Sequence, residues 1–235
     1  MDAVELYRAG KLEEAVLALG DQIRKDPTDT RRRTFLFELL CFAGELDRAG
    51  RQLEVLAKES GDADVGAWMY RSALHAERTR REMFETGIFP SGEPPKPPSG
   101  TLNGQPFESI EDSDPRIGAR LEIFAAGQYT WLPYQHLSSV AIDPPKRLRD
   151  LFWVPARVAA GPDLEGFELG EVLLPAVTAL AWQHPDGDVR LGRTTDVREA
   201  PDGTPIPLGP KVLVVDGEPV PLLDVRQLSI DPSPS

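Results

Sequence analysis

The sequence predicts an α+β chain, with a helical repeat unit in front and a β-rich α+β domain behind it. Three observations lead there. Of the 23 prolines, Pro27 alone lies before residue 89, and since proline is excluded from helix interiors, the first third can be helical and the rest largely cannot. The front part repeats itself: Ala9-Gly10-Lys11-Leu12-Glu13-Glu14-Ala15 recurs as Ala43-Gly44-Glu45-Leu46-Asp47-Arg48-Ala49, an offset of 34 residues. From Phe107 onward, apolar runs become short and are bounded by turn residues, the pattern of strands.

An offset of 34 is the period of the tetratricopeptide repeat, and the first 89 residues are read as a TPR-like unit of five helices at about 2–10, 12–25, 29–43, 45–59 and 64–86. Gly10 and Gly44 end one helix where the next must turn back tightly, and Ala15 and Ala49 are small where paired helices cross. Leu12, Leu19 and Ile23 fall on one helical face, as do Leu46, Leu53 and Leu56. Pro27 closes the first unit, and Gly61 takes that place in the second. The fifth helix, with Trp68, Met69, Leu74 and a charged run from Glu77 to Glu82, caps the stack. Two repeats and a cap bury little surface, because such arrays generally need about three repeats, so this unit is expected to lean on the rest of the chain. Its function class is peptide binding or scaffolding. Arg31-Arg32-Arg33 is either a grip for an acidic peptide or, more simply, a solvated first turn.

Residues 90–106 belong to a Pro-, Gly- and Ser-rich linker, semi-extended because proline stiffens it. Its Pro94-Pro95-Lys96-Pro97-Pro98 core is a spacer or a proline-rich recognition motif. Residues 107–235 form the β-rich domain, with strands expected at 121–125, 129–132, 137–142, 154–159, 172–180, 189–194 and 212–215. Asp186-Gly187, Asp202-Gly203 and Asp216-Gly217 signal turns, the last inside a hairpin. Short helices are expected at 114–119 and 146–151, and the sum is a small curled sheet or partial barrel.

The formal charge of −12 disfavours nucleic acid, whose phosphates an acidic surface repels. The lone cysteine, Cys41, cannot form an internal disulfide and sits in an apolar run, as a small buried hydrophobe does. The amino terminus lacks a signal-peptide pattern, and no apolar run approaches the roughly 20 residues that span a bilayer, so a cytoplasmic chain is expected.

Chemistry is hard to find. His75, His136 and His184 lie in separate segments without ligand spacing, and neither a phosphate-binding glycine loop nor a nucleophile elbow is present, so no metal or cofactor is expected. Arg149-Asp150 and Asp114 near Arg116 read as charge-assisted pins of loops. A hydrolase built on His136 and Asp150 is the enzymatic alternative. Tyr129, Trp131, Tyr134 and Trp153 are core aromatics or, where exposed, interface anchors.

The phrases DSDPRIGARLE, GQYTWLPY and PPKRLRDLFWVPA, with LFELLCFAGELDRAGRQL nearer the amino terminus, resemble the ImpE family (also called SciE or TagJ) of type VI secretion accessory proteins. The family's recurrent residues map onto Asp114, Pro115, Arg116, Gly118, Glu122, Gly127, Tyr129, Trp131, Pro133, Leu148, Arg149, Asp150, Trp153 and Ala156. The resemblance implies a protein without enzymatic activity that binds a helix near the amino terminus of the small sheath subunit, TssB, and links the sheath to the ATPase ClpV. A helix-in-groove mode suits that role. The residues expected to carry partner binding are Arg116, Tyr129, Trp131, Tyr134, Arg149, Asp150 and Trp153. A purely structural scaffold is the third reading, and it would lack a sizeable apolar groove.

Overall fold

The computed structural model describes residues 1–59, 64–162 and 169–232; the expected closing glycine of the second repeat, Gly61, lies outside them. Helices α1 (Ala3–Arg8), α2 (Leu12–Lys25), α3 (Thr30–Phe42), α4 (Leu46–Glu59) and α5 (Asp64–Thr86) form the front third, as the repeat predicts. Asp2 caps α1 through a capping box with Glu5, and Asp29 caps α3. Gly10 and Gly44 have φ of 72° and 81°, the left-handed conformation that glycine adopts without strain at a helix end. Ala15 and Ala49 are fully buried at the helix crossings. Arg33 of the basic triplet is turned inward, donating to the Pro27 carbonyl at 2.5 Å and to Gln52 at 2.9 Å, while Arg32 pairs with Asp29.

The β-rich part is built on an antiparallel eight-stranded sheet. Its strands are β1 (Gly100–Leu102), β2 (Gln105–Phe107), β4 (Arg120–Ala125), β5 (Gln128–Pro133), β6 (Leu137–Ile142), β7 (Trp153–Ala160), β8 (Gly170–Pro175) and β13 (Gln227–Ile230), in the order β2-β1-β13-β6-β7-β8-β4-β5. Three strands, β3 (Ile110–Asp112), β11 (Val212–Val215) and β12 (Glu218–Pro221), make a second sheet, and β9 (Asp196–Glu199) with β10 (Pro205–Leu208) makes a hairpin. The Asp216-Gly217 turn closes the β11–β12 hairpin as expected, with both residues at positive φ. The linker expected at 90–106 is shorter than its proline content predicts, because β1 and β2 fall inside it and pair with each other.

Four expected elements differ. The strand at 189–194 is instead a four-residue helix, α6 (Gly187–Arg190), started by the Asp186 side chain accepting the Asp188 N–H. The strand expected at 172–180 ends at Pro175; Thr178 then turns the chain by accepting the Gly209 N–H. At 114–119 a turn replaces the helix, since Gly118 has φ of 60° and its N–H returns to the Asp114 carbonyl. The 146–151 helix is a single 3-10 turn, Leu148–Leu151.

The helical unit leans on the sheet. Its core, including Leu39, Leu40, Phe42, Tyr70 and Leu74, is continuous with Phe124, Phe152, Trp153, Leu173 and Val177 of the carboxy-terminal part. The repeat glycines are contact points too: a Cβ on Gly44 would lie 2.6 Å from Trp182, and one on Gly10 would lie 2.7 Å from Asp188.

Candidate docking groove and its buried charge network

Residues 148–153 carry the carboxy-terminal part into the helical array. Phe152 meets Phe42 edge-on at 4.9 Å and Trp153 stacks near Tyr70 at 6.3 Å. Arg149 pairs with Glu38 of α3 at 3.3 Å and lies over the Tyr70 ring at 4.9 Å. Burial pushes the Glu38 carboxyl up despite that partner. Asp150 accepts the N–H groups of Lys146 and Arg147 at 2.8 and 3.0 Å, so it pins its own loop. Asp114 holds Arg116 in a two-point pair at 2.8 and 2.5 Å.

Behind this contact runs a chain of buried charges from helix to sheet. Arg81 donates to the carbonyls of Gly44 and Cys41 and pairs with Glu77 at 3.1 Å; Glu77 also accepts from Trp153 Nε1 at 3.4 Å. Arg80 donates to Glu122 on β4 at 2.8 and 3.2 Å and to the Val177 carbonyl at 3.0 Å. Glu122 also receives Lys211, which reaches Asp112 at 2.6 Å, and the Tyr129 hydroxyl at 2.5 Å. Trp131 in turn donates its ring N–H to Tyr129. Burial opposes the ionised Glu122 carboxylate, but Arg80 and Lys211 overcome it and hold the group down at about 2. Asp112 is pushed up to about 6, chiefly by burial, with Lys211 opposing. Burial and the Glu122 charge raise Tyr129. Three acids and three cations balance along this chain, so it holds the structure together and leaves no charge for a ligand.

Beside the network, α5 and the sheet leave a groove with a volume of about 620 Å³. Trp68, Met69, Tyr70 and Ala73 form one wall; Phe124, Pro155, Val172 and Leu173 form the other; Lys146, Arg147 and Glu171 stand at the rim. Trp68 is 58% exposed and Met69 37%, unusual for side chains of that size.

Of the seven residues expected to bind a partner, Tyr134 and Trp153 are core residues, 0% and 1% exposed, and so offer nothing to a partner. Tyr129 and Trp131 are spent on the Glu122 network, and Arg116 and Arg149 on Asp114 and Glu38. Asp150 alone lines the groove. Trp68 and Met69 were visible in the sequence as residues of a capping helix, and the cue to their exposure was two large apolar side chains side by side on an amphipathic helix, of which one must face outward. The partners Arg80, Asp112 and Lys211 left no local cue, since they lie 32 to 131 residues apart in the chain.

The His136 and Asp150 dyad fails on geometry. The His136 carbonyl accepts the Gly161 N–H beyond the far end of β7, while Asp150 precedes its first residue. The eight residues of β7 lie between them, roughly 25 Å at about 3.3 Å per residue. Among the described residues, no group of three or more His, Cys, Asp or Glu side chains is placed to hold a metal ion.

The family model described as ImpE protein matches residues 104–229, more than half of the chain. This chain belongs to the ImpE family. A relative from Pseudomonas aeruginosa, named type VI secretion system accessory component TagJ, is 32% identical over 268 aligned residues, covering 99% of this chain and 92% of the relative. The crystal structure of protein VPA1032 from Vibrio parahaemolyticus superposes with a TM-score of 0.83 at 21% identity, covering 97% of both chains. That structure carries the same fold through both halves, and the ImpE model spans β2 to most of β13, including the whole sheet side of the groove.

Proposed function

We propose that this ImpE-family chain is a non-enzymatic accessory protein of type VI secretion that acts as a cytoplasmic adaptor. It holds the amino-terminal helix of the small, TssB-type sheath subunit, and through it connects the sheath to a ClpV-type ATPase. The observation that carries the reading is the groove between α5 and the sheet, where Trp68 and Met69 stand exposed opposite Phe124 and Leu173. An amphipathic helix laid into such a cleft buries its apolar stripe against both walls, and aromatic and Met side chains are the usual anchors of such contacts. The secretion role rests on the 32% identity to the TagJ accessory component. No described helix is long and apolar enough to cross a membrane.

A purely structural scaffold would have no reason to keep Trp68 and Met69 in water. The test is a titration of the full chain with a peptide of the sheath subunit's amino-terminal helix. Binding at micromolar concentration is expected, with Trp68→Asp weakening it by about tenfold or more, the loss typical of one buried aromatic anchor. Absence of binding at that concentration would remove the partner assignment.

A further inference from the structure

The proline-rich segment ahead of β1 does more than connect. Its ends are tied down: Phe89 stacks on Trp131 at 5.6 Å and meets Phe84 edge-on at 5.3 Å, while Ser99 Oγ donates to Asp231 at 2.8 Å and its carbonyl accepts the Asp231 N–H at 3.0 Å. Between them, Pro94, Pro95, Pro97 and Pro98 each have φ fixed by the ring, and Glu93, Pro94, Lys96 and Pro97 each precede a proline and are held extended. That combination leaves polyproline II as the conformation, with three residues per turn. Burial follows that period: Pro95 and Pro98 are half-buried, while Glu93, Pro94, Lys96 and Pro97 are exposed. One edge of the strap lies on the protein, and two edges, one carrying Pro94 and Pro97 and the other carrying Lys96 with Glu93 one turn before it, face outward.

We infer that Pro94-Pro95-Lys96-Pro97-Pro98 is a second docking surface, preformed for a partner domain that reads polyproline II in an aromatic-lined groove and meets Lys96 with a carboxylate. Aromatic ridges grip the spaced rings of Pro94 and Pro97, which stand one full turn apart. Lys96 is the single cation between residues 87 and 106 of a chain with net charge −12, so a carboxylate beside the ridges gains a contact that the rest of this surface denies it. Because both ends of the strap are anchored, little ordering remains to be done on binding. A spacer has to reach from Phe89 to Ser99 and nothing more; it does not require a charged edge and a proline edge facing outward. The strap contributes nothing to the walls of the helix-binding groove, so the two surfaces stand or fall separately.

The experiment uses the full chain and two purified probes that read polyproline II, an SH3 domain and a WW domain, titrated by heteronuclear NMR. Saturable binding of at least one probe is expected, weakened by about tenfold or more in the P94A/P97A double variant and also by K96E, with Pro90→Ala as an unaffected control. The double variant should still unfold cooperatively, with a thermal midpoint lowered by no more than a few degrees, since its two rings face outward and only the unfolded chain gains freedom. Absence of saturable binding with both probes, or equal binding by parent and double variant, would overturn the inference.

Discussion

Glu122 is the residue on which most of the interior turns, because, buried, it faces Arg80, Lys211 and the Tyr129 hydroxyl at once. Replacing it by Ala leaves two buried cations short of a partner, and the cost of such a break is about 3–5 kcal/mol. Chemical denaturation should register that loss, with Glu122→Gln retaining part of the hydrogen bonding and losing less. The pH dependence follows from two shifts of opposite sense. Glu122 is held down at about 2, so its stabilisation is present above its ordinary value of 4.5 and is lost as pH falls toward 2. Asp112 is raised to about 6, so its contribution is present below 3.8 and is lost as pH rises through 6. Between pH 7 and 5, uptake of a proton by Asp112 should therefore hold stability level or raise it, with a fall below pH 4.5 as the Glu122 charge is titrated. Thermal melts across this range check the shape, and Asp112→Asn should remove the gain on going from pH 7 to 5 while leaving the acid limb.

The interface between the two halves sets α5 against β4 and β5 and adds short elements: the 3-10 turn Leu148–Leu151, the first residue of β7 and the loops that end the repeats. Trp153→Ala empties a site walled by Tyr70, Phe124 and Phe152 and should cost about 3–5 kcal/mol. Gly44→Ala forces a Cβ against Trp182 at a φ of 81°, adding left-handed strain of about 1–2 kcal/mol to the clash. Hydrogen exchange should show faster opening of α3 and α4 in that variant, ahead of the sheet. The helices were legible from a 34-residue repeat and helical apolar spacing, and the long strands from their alternation. The three-residue strand β3 escaped because its partner, β11, lies about a hundred residues away and alone defines it. Asp186 explains the miss at 189–194: Val189 and Leu191 read as strand, but the aspartate caps a helix first. At the site, Asp150 was legible as a loop pin, while Arg149, read as its partner, pairs instead with Glu38 of α3, a contact between distant segments that no local pattern encodes.

As a whole, the two halves share one core. The helical array keeps its core only against Phe124, Phe152, Trp153 and Leu173, and two repeats with a cap fall short of the roughly three repeats that stand alone. Residues 1–89 expressed without the rest should therefore lack the cooperative unfolding of the full chain, as circular dichroism on heating would show. The groove inherits this dependence, because one wall is helix and the other is sheet. A photo-crosslinking map of the full chain with the sheath subunit's amino-terminal helix, the reactive group placed on the helix's apolar side, tests that joint construction most directly. Crosslinks are expected on both walls, at Trp68, Met69 and Ala73 of α5 and at Phe124, Val172 and Leu173 of the sheet. Crosslinks confined to the outer face of α2 and α4, or a map unchanged by Trp68→Asp, would contradict it.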